Sequence, residues 1–116
     1  MSVDRRLTVH VLDTALGRPA AGLGLTLRRH GDVLERRLTN ADGRSDSPLL
    51  AGDAFASGIY EIAFDVETWR AASVPPDTDL GFYDQITIRF VVDDSAGHVH
   101  IPLLLSPYGY TTYRGS

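Results

Sequence analysis

The sequence predicts an all-β protein, an antiparallel β-sandwich with one short helix, and a β-barrel is the competing architecture. Three observations support this class. Apolar and polar residues alternate with a period of two along most of the chain, which is typical of strands with one buried face. Short segments rich in Gly, Asn and Asp separate the alternating segments. The chain has 116 residues, of which 43% are hydrophobic and 22% charged, so we expect a single domain over residues 1–116.

The predicted strands, seven or eight in number, follow one another along the chain. The alternating or continuously apolar segments are residues 7–12, 23–28, 33–39, 59–66, 86–92, 99–105 and 110–113. Turn sequences separate them at residues 30–32, 40–43, 51–53, 93–97 and 106–109. Residues 67–72 lack alternation and predict a short helix, which the sequence Val74-Pro75-Pro76 would end.

Charge and composition exclude several classes of function. The formal net charge is −4, which argues against a nucleic-acid or anionic-membrane partner, because such partners need a basic face. Cysteine is absent, which excludes a disulfide scaffold, thiol catalysis and a thiolate metal site. No apolar run reaches the ~20 residues that span a bilayer, and the first residues lack the apolar region of a secretory signal. We therefore expect a cytoplasmic protein.

Three of the four histidines fall on strands, in positions that alternate with the larger apolar residues. His10 lies opposite the apolar set of the first strand, whereas His98 and His100 share a face with Pro102 and Leu104. If the larger apolar sets form the core, all three histidines point outward. An apolar outer face on a small protein usually has a partner, so we predict self-association through this sheet. The fourth histidine, His30, precedes a glycine and is interpreted as a turn residue.

Two chemistries are compatible with these histidines. His98 and His100 share a strand face and could bind zinc with His10 as a third ligand. A metal-free amide hydrolase would instead need a base that activates water and a cation that polarises the carbonyl group. Arg44, directly after the turn at residues 40–43, is the best-placed cation for that role, although its spacing alone also fits a solvated surface charge.

Four segments resemble the 5-hydroxyisourate hydrolases, which are transthyretin-related proteins of purine breakdown. The C-terminal sequence of residues 98–116, ending in Tyr-Arg-Gly-Ser, is similar to the hallmark ending of that family. Residues 7–13 and 38–44 are similar to its two other signatures, and residues 58–64 fit its central strand. Two positions depart from the family's usual pattern: Val99, where tyrosine is frequent, and Asp84, where proline is frequent. The similar segments occur in the family's order and cover essentially the whole chain.

The resemblance implies a transthyretin-like antiparallel β-sandwich of two four-stranded sheets with one short helix. It also implies a homotetramer with active sites in the channel between two dimers. The implied reaction is hydrolysis of 5-hydroxyisourate to 2-oxo-4-hydroxy-4-carboxy-5-ureidoimidazoline, without a cofactor or metal. His10, Arg44 and His100 match the catalytic positions of the family, and His10 and Arg44 would also bind the substrate. Tyr113 matches a substrate-contacting position, and Ser116 would close the catalytic site at the chain terminus.

Two non-enzymatic alternatives stay open at this point. One is a transthyretin-like carrier of a small molecule, and the other is a β-sandwich module that binds a protein through its sheet. A carrier needs an apolar channel, so the polar residues at the matched positions argue against it.

Overall fold

The computed structural model describes residues 4–115, which form nine strands, one α-helix and one turn of 3₁₀-helix (Gly52–Ala54). The strands in chain order are β1 (Arg6–Asp13), β2 (Arg18–Pro19), β3 (Gly24–Arg29), β4 (Asp32–Leu38), β5 (Leu50–Ala51), β6 (Gly58–Phe64), β7 (Ile86–Val92), β8 (His98–Leu105) and β9 (Tyr110–Thr112). The helix α1 (Val66–Ser73) lies between β6 and β7.

The strands form two sheets, whose apolar faces contribute to one core. The first sheet has the order β2-β1-β8-β9, with β5 pairing to the free part of β1, and the second has the order β4-β3-β6-β7. Buried side chains alternate with less buried ones along β1 and β3, as the period-two pattern predicts. The largest fully buried side chains come from both sheets and include Leu7, Leu27, Tyr60, Phe64 and Leu103. The predicted all-β sandwich is therefore confirmed.

Two details of the first sheet differ from the prediction. β1 and β8 are parallel neighbours, not antiparallel ones, and the two-residue strand β5 gives this sheet five strands instead of four. Alternation reports which face of a strand is buried, and it is the same in parallel and antiparallel pairs. The direction of β8 is set by the long path through the second sheet, and the local sequence does not encode it.

The helix begins one residue earlier and ends one residue later than predicted. Asp65 caps it by accepting a hydrogen bond from the backbone N–H of Thr68 (3.3 Å), so the preceding strand ends at Phe64 and Val66 belongs to the helix. The indole N–H of Trp69 donates to the carbonyl of Ala21 (2.9 Å), which ties the helix to the sandwich. Within residues 4–115 there is no helix with the length and apolar character needed to cross a membrane.

Candidate active site

The parallel pairing of β1 and β8 brings two histidines together on the outer face of the first sheet. Thr8 lies beside His100 in this register, and His10 lies beside Pro102. His10 and His100 are half-buried, whereas their chain neighbours on both sides are buried against the core. The alternation thus predicted the outward face of both histidines correctly. Pro102 shares this face but is buried, contrary to the exposed position that the alternation suggested.

The loop at residues 40–44 brings Arg44 to the edge of this face. An isolated antiparallel bridge joins Arg44 to His10, and the backbone N–H of Val11 donates to the carbonyl of Gly43 (2.8 Å). The Asn40 side chain closes the loop, because its Oδ1 accepts hydrogen bonds from the backbone N–H of Asp42 (2.9 Å) and of Arg44 (3.1 Å). The loop is therefore fixed by its own hydrogen bonds and by its pairing to β1.

Gly43 is required for this approach. Its φ angle is +76°, a left-handed conformation that disfavours residues with a side chain. A Cβ atom at this position would also collide with the carbonyl oxygen of Val11. The glycine of the turn therefore allows the loop to lie against β1, with Arg44 as the next residue.

The environment of both histidines favours their neutral form. Partial burial lowers the pKa of His10 below its usual value, and the positive charge of Arg44 lowers it further, against a smaller opposite effect of Asp42. Burial also lowers the pKa of His100, with additional contributions from the charges of Arg44, His98 and His10. Both rings are therefore neutral at pH 7 and can accept a proton, as a general base must.

A polar cleft of about 420 Å³ lies next to these residues. Its lining consists of Arg6, Thr8, Val9, Arg44, Ser45, Asp46, Ser47, Pro48, His98 and His100. The cleft is large enough for a small polar molecule. Its charged and hydrogen-bonding groups can orient such a molecule beside His100 and Arg44.

The three-histidine zinc site considered from the sequence is not supported. Among residues 4–115, no three side chains of His, Cys, Asp or Glu converge in a way that could hold a metal ion. One ring nitrogen of His98 and one of His100 already share a hydrogen-bond partner. The Thr8 hydroxyl lies 2.6 Å from Nε2 of His98 and 2.7 Å from Nδ1 of His100.

The C-terminal segment is tied to the same face through Gly115. An isolated bridge joins it to His100, and its backbone N–H donates to the His100 carbonyl at 2.8 Å. A Cβ atom on Gly115 would lie 2.6 Å from Cδ2 of His100, closer than carbon atoms can pack. The tail thus contacts the imidazole directly at a position where only glycine fits without displacement.

Tyr113 lies between β9 and this contact. The pairing of Leu103 with Thr112 and of His100 with Gly115 follows one register, in which Tyr113 stands across from Pro102. Its side chain is 58% exposed and borders a groove beside β7, not the histidine cleft of the same chain. The proposed substrate contact of Tyr113 stays a prediction, and Ser116 lies outside the described residues.

Comparison with known proteins identifies the family. Residues 7–115 match the model of the HIUase/Transthyretin family. The chain belongs to this family. It is 51% identical over 121 residues to 5-hydroxyisourate hydrolase 2 of Rhizobium meliloti, with both chains fully covered.

Two solved structures share the fold of this chain. The structure of Klebsiella pneumoniae 5-hydroxyisourate hydrolase is 32% identical and aligns over 97% of this chain and 94% of that chain, with a TM-score of 0.81. The structure of (S)-allantoin synthase is 36% identical with a TM-score of 0.90 over 99% of this chain. That alignment covers 45% of the synthase chain, so the present chain spans less than half of that protein.

The alternation pattern did not reveal the contacts of Thr8. Thr8 precedes His10 by two residues, so alternation alone puts both on one face. Its two hydrogen bonds to His98 and His100 depend on the parallel register of β1 and β8, which the alternation does not encode.

Proposed function

We propose that this chain is a 5-hydroxyisourate hydrolase that converts 5-hydroxyisourate to 2-oxo-4-hydroxy-4-carboxy-5-ureidoimidazoline. The observation that carries the proposal is the convergence of His10, His100 and Arg44 on one sheet face beside a polar cleft. The name of the full-length relative at 51% identity supplies the substrate. For the compartment we retain the prediction of the cytoplasm.

The proposed mechanism uses the neutral state of the two histidines. One of them takes a proton from a water molecule as the oxygen of that water attacks the cyclic amide carbonyl. The Arg44 guanidinium stabilises the negative charge that develops on the carbonyl oxygen and orients the substrate. Breakage of the carbon–nitrogen bond follows when the protonated imidazole returns a proton to the leaving nitrogen.

Tyr113 and Ser116 complete the proposed site from the C-terminal segment. The hydrogen bond between Gly115 and His100 supports this assignment, because it holds the tail against a proposed catalytic residue. Tyr113 follows the same register and is exposed enough to meet a ligand or a neighbouring subunit.

The proposed assembly is a homotetramer, with the outer face of the first sheet at the subunit interface. Leu12 and Leu104 lie on this face beside the histidines and are only partly buried. A second copy of the chain would cover them and would enclose the cleft. Water exclusion would then strengthen the interaction between Arg44 and the developing charge.

The polar lining of the cleft favours a hydrolase over a carrier. Arg44, Asp46 and two histidines contribute to it, and their desolvation by an apolar ligand would be unfavourable. The same groups are suited to polarise a carbonyl group and transfer protons.

The test is the decay of freshly prepared 5-hydroxyisourate, followed by ultraviolet absorbance. We expect decay to accelerate in proportion to protein concentration and the acceleration to survive exhaustive chelation. Loss of activity on chelation and its return with zinc would contradict the metal-free mechanism. A decay rate equal to the spontaneous rate at every protein concentration would contradict the proposed function itself.

A further inference from the structure

A threonine hydroxyl lies between two imidazole rings at the edge of the proposed site. Thr8 Oγ1 is 2.6 Å from Nε2 of His98 and 2.7 Å from Nδ1 of His100. The arrangement follows from the sheet, because Thr8 pairs with His100 and His98 lies two residues earlier on the same face of β8. Both distances lie within the usual range of hydrogen bonds that involve a hydroxyl group.

A single hydroxyl proton cannot serve both contacts as a donor. Thr8 can donate to one ring and accept from the other, since each neutral imidazole carries one N–H group and one nitrogen that accepts. When His100 donates from Nδ1, its Nε2 is free to accept a proton, and Thr8 donates to His98. In the opposite arrangement of hydrogen bonds, His98 donates from Nε2 to Thr8 and Thr8 donates to Nδ1 of His100. The single N–H of His100 is then at Nε2. The two rings and the hydroxyl therefore form one connected proton path.

The proposed reaction needs a route by which a proton leaves the site. Hydrolysis adds the hydroxyl of water to the carbonyl carbon and a hydrogen to the leaving nitrogen. The resulting carboxylic acid is ionised at neutral pH, and a ureido nitrogen does not take up a second proton. One proton per turnover must therefore pass from the site to solvent, and this inference rests on the proposed function.

We propose that Thr8 and His98 form a proton relay that carries to the solvent the proton that the newly formed carboxylic acid gives to His100. A proton arrives at Nε2 of His100, the proton of its Nδ1 passes to the Thr8 oxygen, and the hydroxyl proton passes to Nε2 of His98. The net result is a neutral His100 and a protonated His98. His98 is exposed whereas His100 is half-buried, and His98 lies at the start of β8, six residues before the Leu104 of the proposed subunit contact. The charge therefore moves to the more exposed ring, at the end of the face away from that contact.

The surroundings of the path include both signs of charge. The positive charge of Arg44 opposes protonation of His100, and His10 adds to this effect only when it is itself protonated. Arg6 and Asp46 line the same cleft as His98, and Arg6 pairs with His98 in the β1–β8 register and lies 3.4 Å from the carboxylate of Asp4. Arg44 thus favours movement of the proton outward, away from His100.

The first experiment removes the hydroxyl without changing the shape of the side chain. We expect Thr8→Val to lower kcat about tenfold or more, on the scale of a lost proton transfer, with KM within about twofold of the wild-type value. Thr8→Ser should restore most of the rate, because it retains the hydroxyl. Thr26→Val is the matched control, a half-buried threonine on the other sheet, and should leave kcat unchanged. Wild-type kcat in Thr8→Val, or failure of Thr8→Ser to restore it, would overturn the relay.

The second experiment tests His98, which is exposed and so can be replaced without loss of the fold. His98→Ala should lower kcat, and high concentrations of imidazole buffer should restore it by accepting the proton in its place. The double variant Thr8→Val/His98→Ala should be no slower than the slower single variant, since both changes break one path. A His98→Ala rate that does not respond to buffer, or additive losses, would overturn the proposal.

Nuclear magnetic resonance separates this inference from the proposed function. If the wild-type protein does not accelerate the decay of 5-hydroxyisourate, the function fails, but the ring nitrogens still report the hydrogen-bonded path. We expect the ¹⁵N chemical shifts of Nε2 of His98 and Nδ1 of His100 to report hydrogen bonds to the Thr8 hydroxyl in the wild-type protein and to lose that signature in Thr8→Val. Unchanged shifts of both nitrogens in Thr8→Val would contradict the connection through Thr8.

Discussion

Two half-buried histidines and one exposed arginine form the centre of the proposed site. An isolated histidine most often has a structural role, and His30 lies apart from the others, at a turn with φ of +51°. His10 and His100 differ because they share one sheet face with each other and with Arg44. Partial burial and the charge of Arg44 both lower the pKa of each ring, so both histidines are neutral proton acceptors.

The pH dependence of activity follows from the direction of these pKa shifts. A histidine acts as a base only when it is neutral, and the folded protein lowers the pKa of His10 and His100. Activity should therefore persist below about pH 6.5, the usual histidine pKa, and be lost as the pH falls through the lower folded-state values. Replacement of Arg44 with Gln removes one cause, so the acidic limb of kcat/KM should move to higher pH. An acidic limb of kcat/KM that lies above pH 6.5, or that does not move in Arg44→Gln, would contradict this interpretation.

The contact between Gly115 and His100 gives a second prediction at single-residue scale. A Cβ atom at position 115 would lie 2.6 Å from the imidazole, so Gly115→Ala should displace the ring. A displacement of this size costs on the order of 100-fold in rate, and kcat should fall with little change in melting temperature. Gly109→Ala is the control, because its added Cβ would make an ordinary 3.6 Å contact. Equal rates for the two variants would show that the tail does not position His100.

At the scale of elements, the sequence predicts the faces of strands better than it predicts their partners. Alternation along β1 and β8 identified the outward histidines, and the turn composition at residues 40–43 located the loop before Arg44. Neither pattern reveals that β1 and β8 are parallel, or that Thr8 therefore contacts His100. Direction and pairing depend on the path of the chain through the other sheet. The resemblance of residues 98–116 to a known ending supplied what periodicity left open, namely the link between His100 and the tail.

The loop at residues 40–44 provides a test of how an element positions a side chain. Gly43 and Gly22 have the same φ angle of +76°, but only at Gly43 would a Cβ atom meet the backbone of β1. Both alanine variants should lose ~1 kcal/mol from the left-handed conformation. Gly43→Ala should lose more in the free energy of unfolding, measured with denaturant, and should also lose activity through Arg44. Equal stability of the two variants would mean that the loop does not depend on its contact with Val11.

At the scale of the whole molecule, the edge strands β7 and β9 carry exposed apolar side chains. Val91 on the edge strand β7 is 76% exposed, and Tyr110 on β9 is 42% exposed. Exposed edge strands are readily covered by another copy of the chain. This surface supports the proposed tetramer, in which the site would be shielded from bulk water.

The assembly and the tail give separable predictions. The wild-type protein should sediment as a tetramer, and deletion of residues 113–116 should abolish most activity while the tetramer stays largely assembled. The reason is that the deleted segment holds the Gly115 contact to His100, whereas β1, β8 and β9 remain. Analytical ultracentrifugation and the hydrolysis assay measure the two effects on the same samples. A fully active monomer, or a truncated protein with the wild-type rate, would contradict the proposed construction of the site.

The most direct test of the central claim is kcat/KM for 5-hydroxyisourate in three alanine variants. His10→Ala, Arg44→Ala and His100→Ala should each reduce it ~100-fold or more, the scale of general acid–base and electrostatic contributions. His30→Asn serves as the control, because His30 lies in an exposed turn on the other sheet and asparagine tolerates its positive φ angle. We expect the three variants to keep the wild-type fold by circular dichroism and the control to keep the wild-type rate. A His100→Ala protein with the wild-type rate would contradict the claim that these residues form the active site.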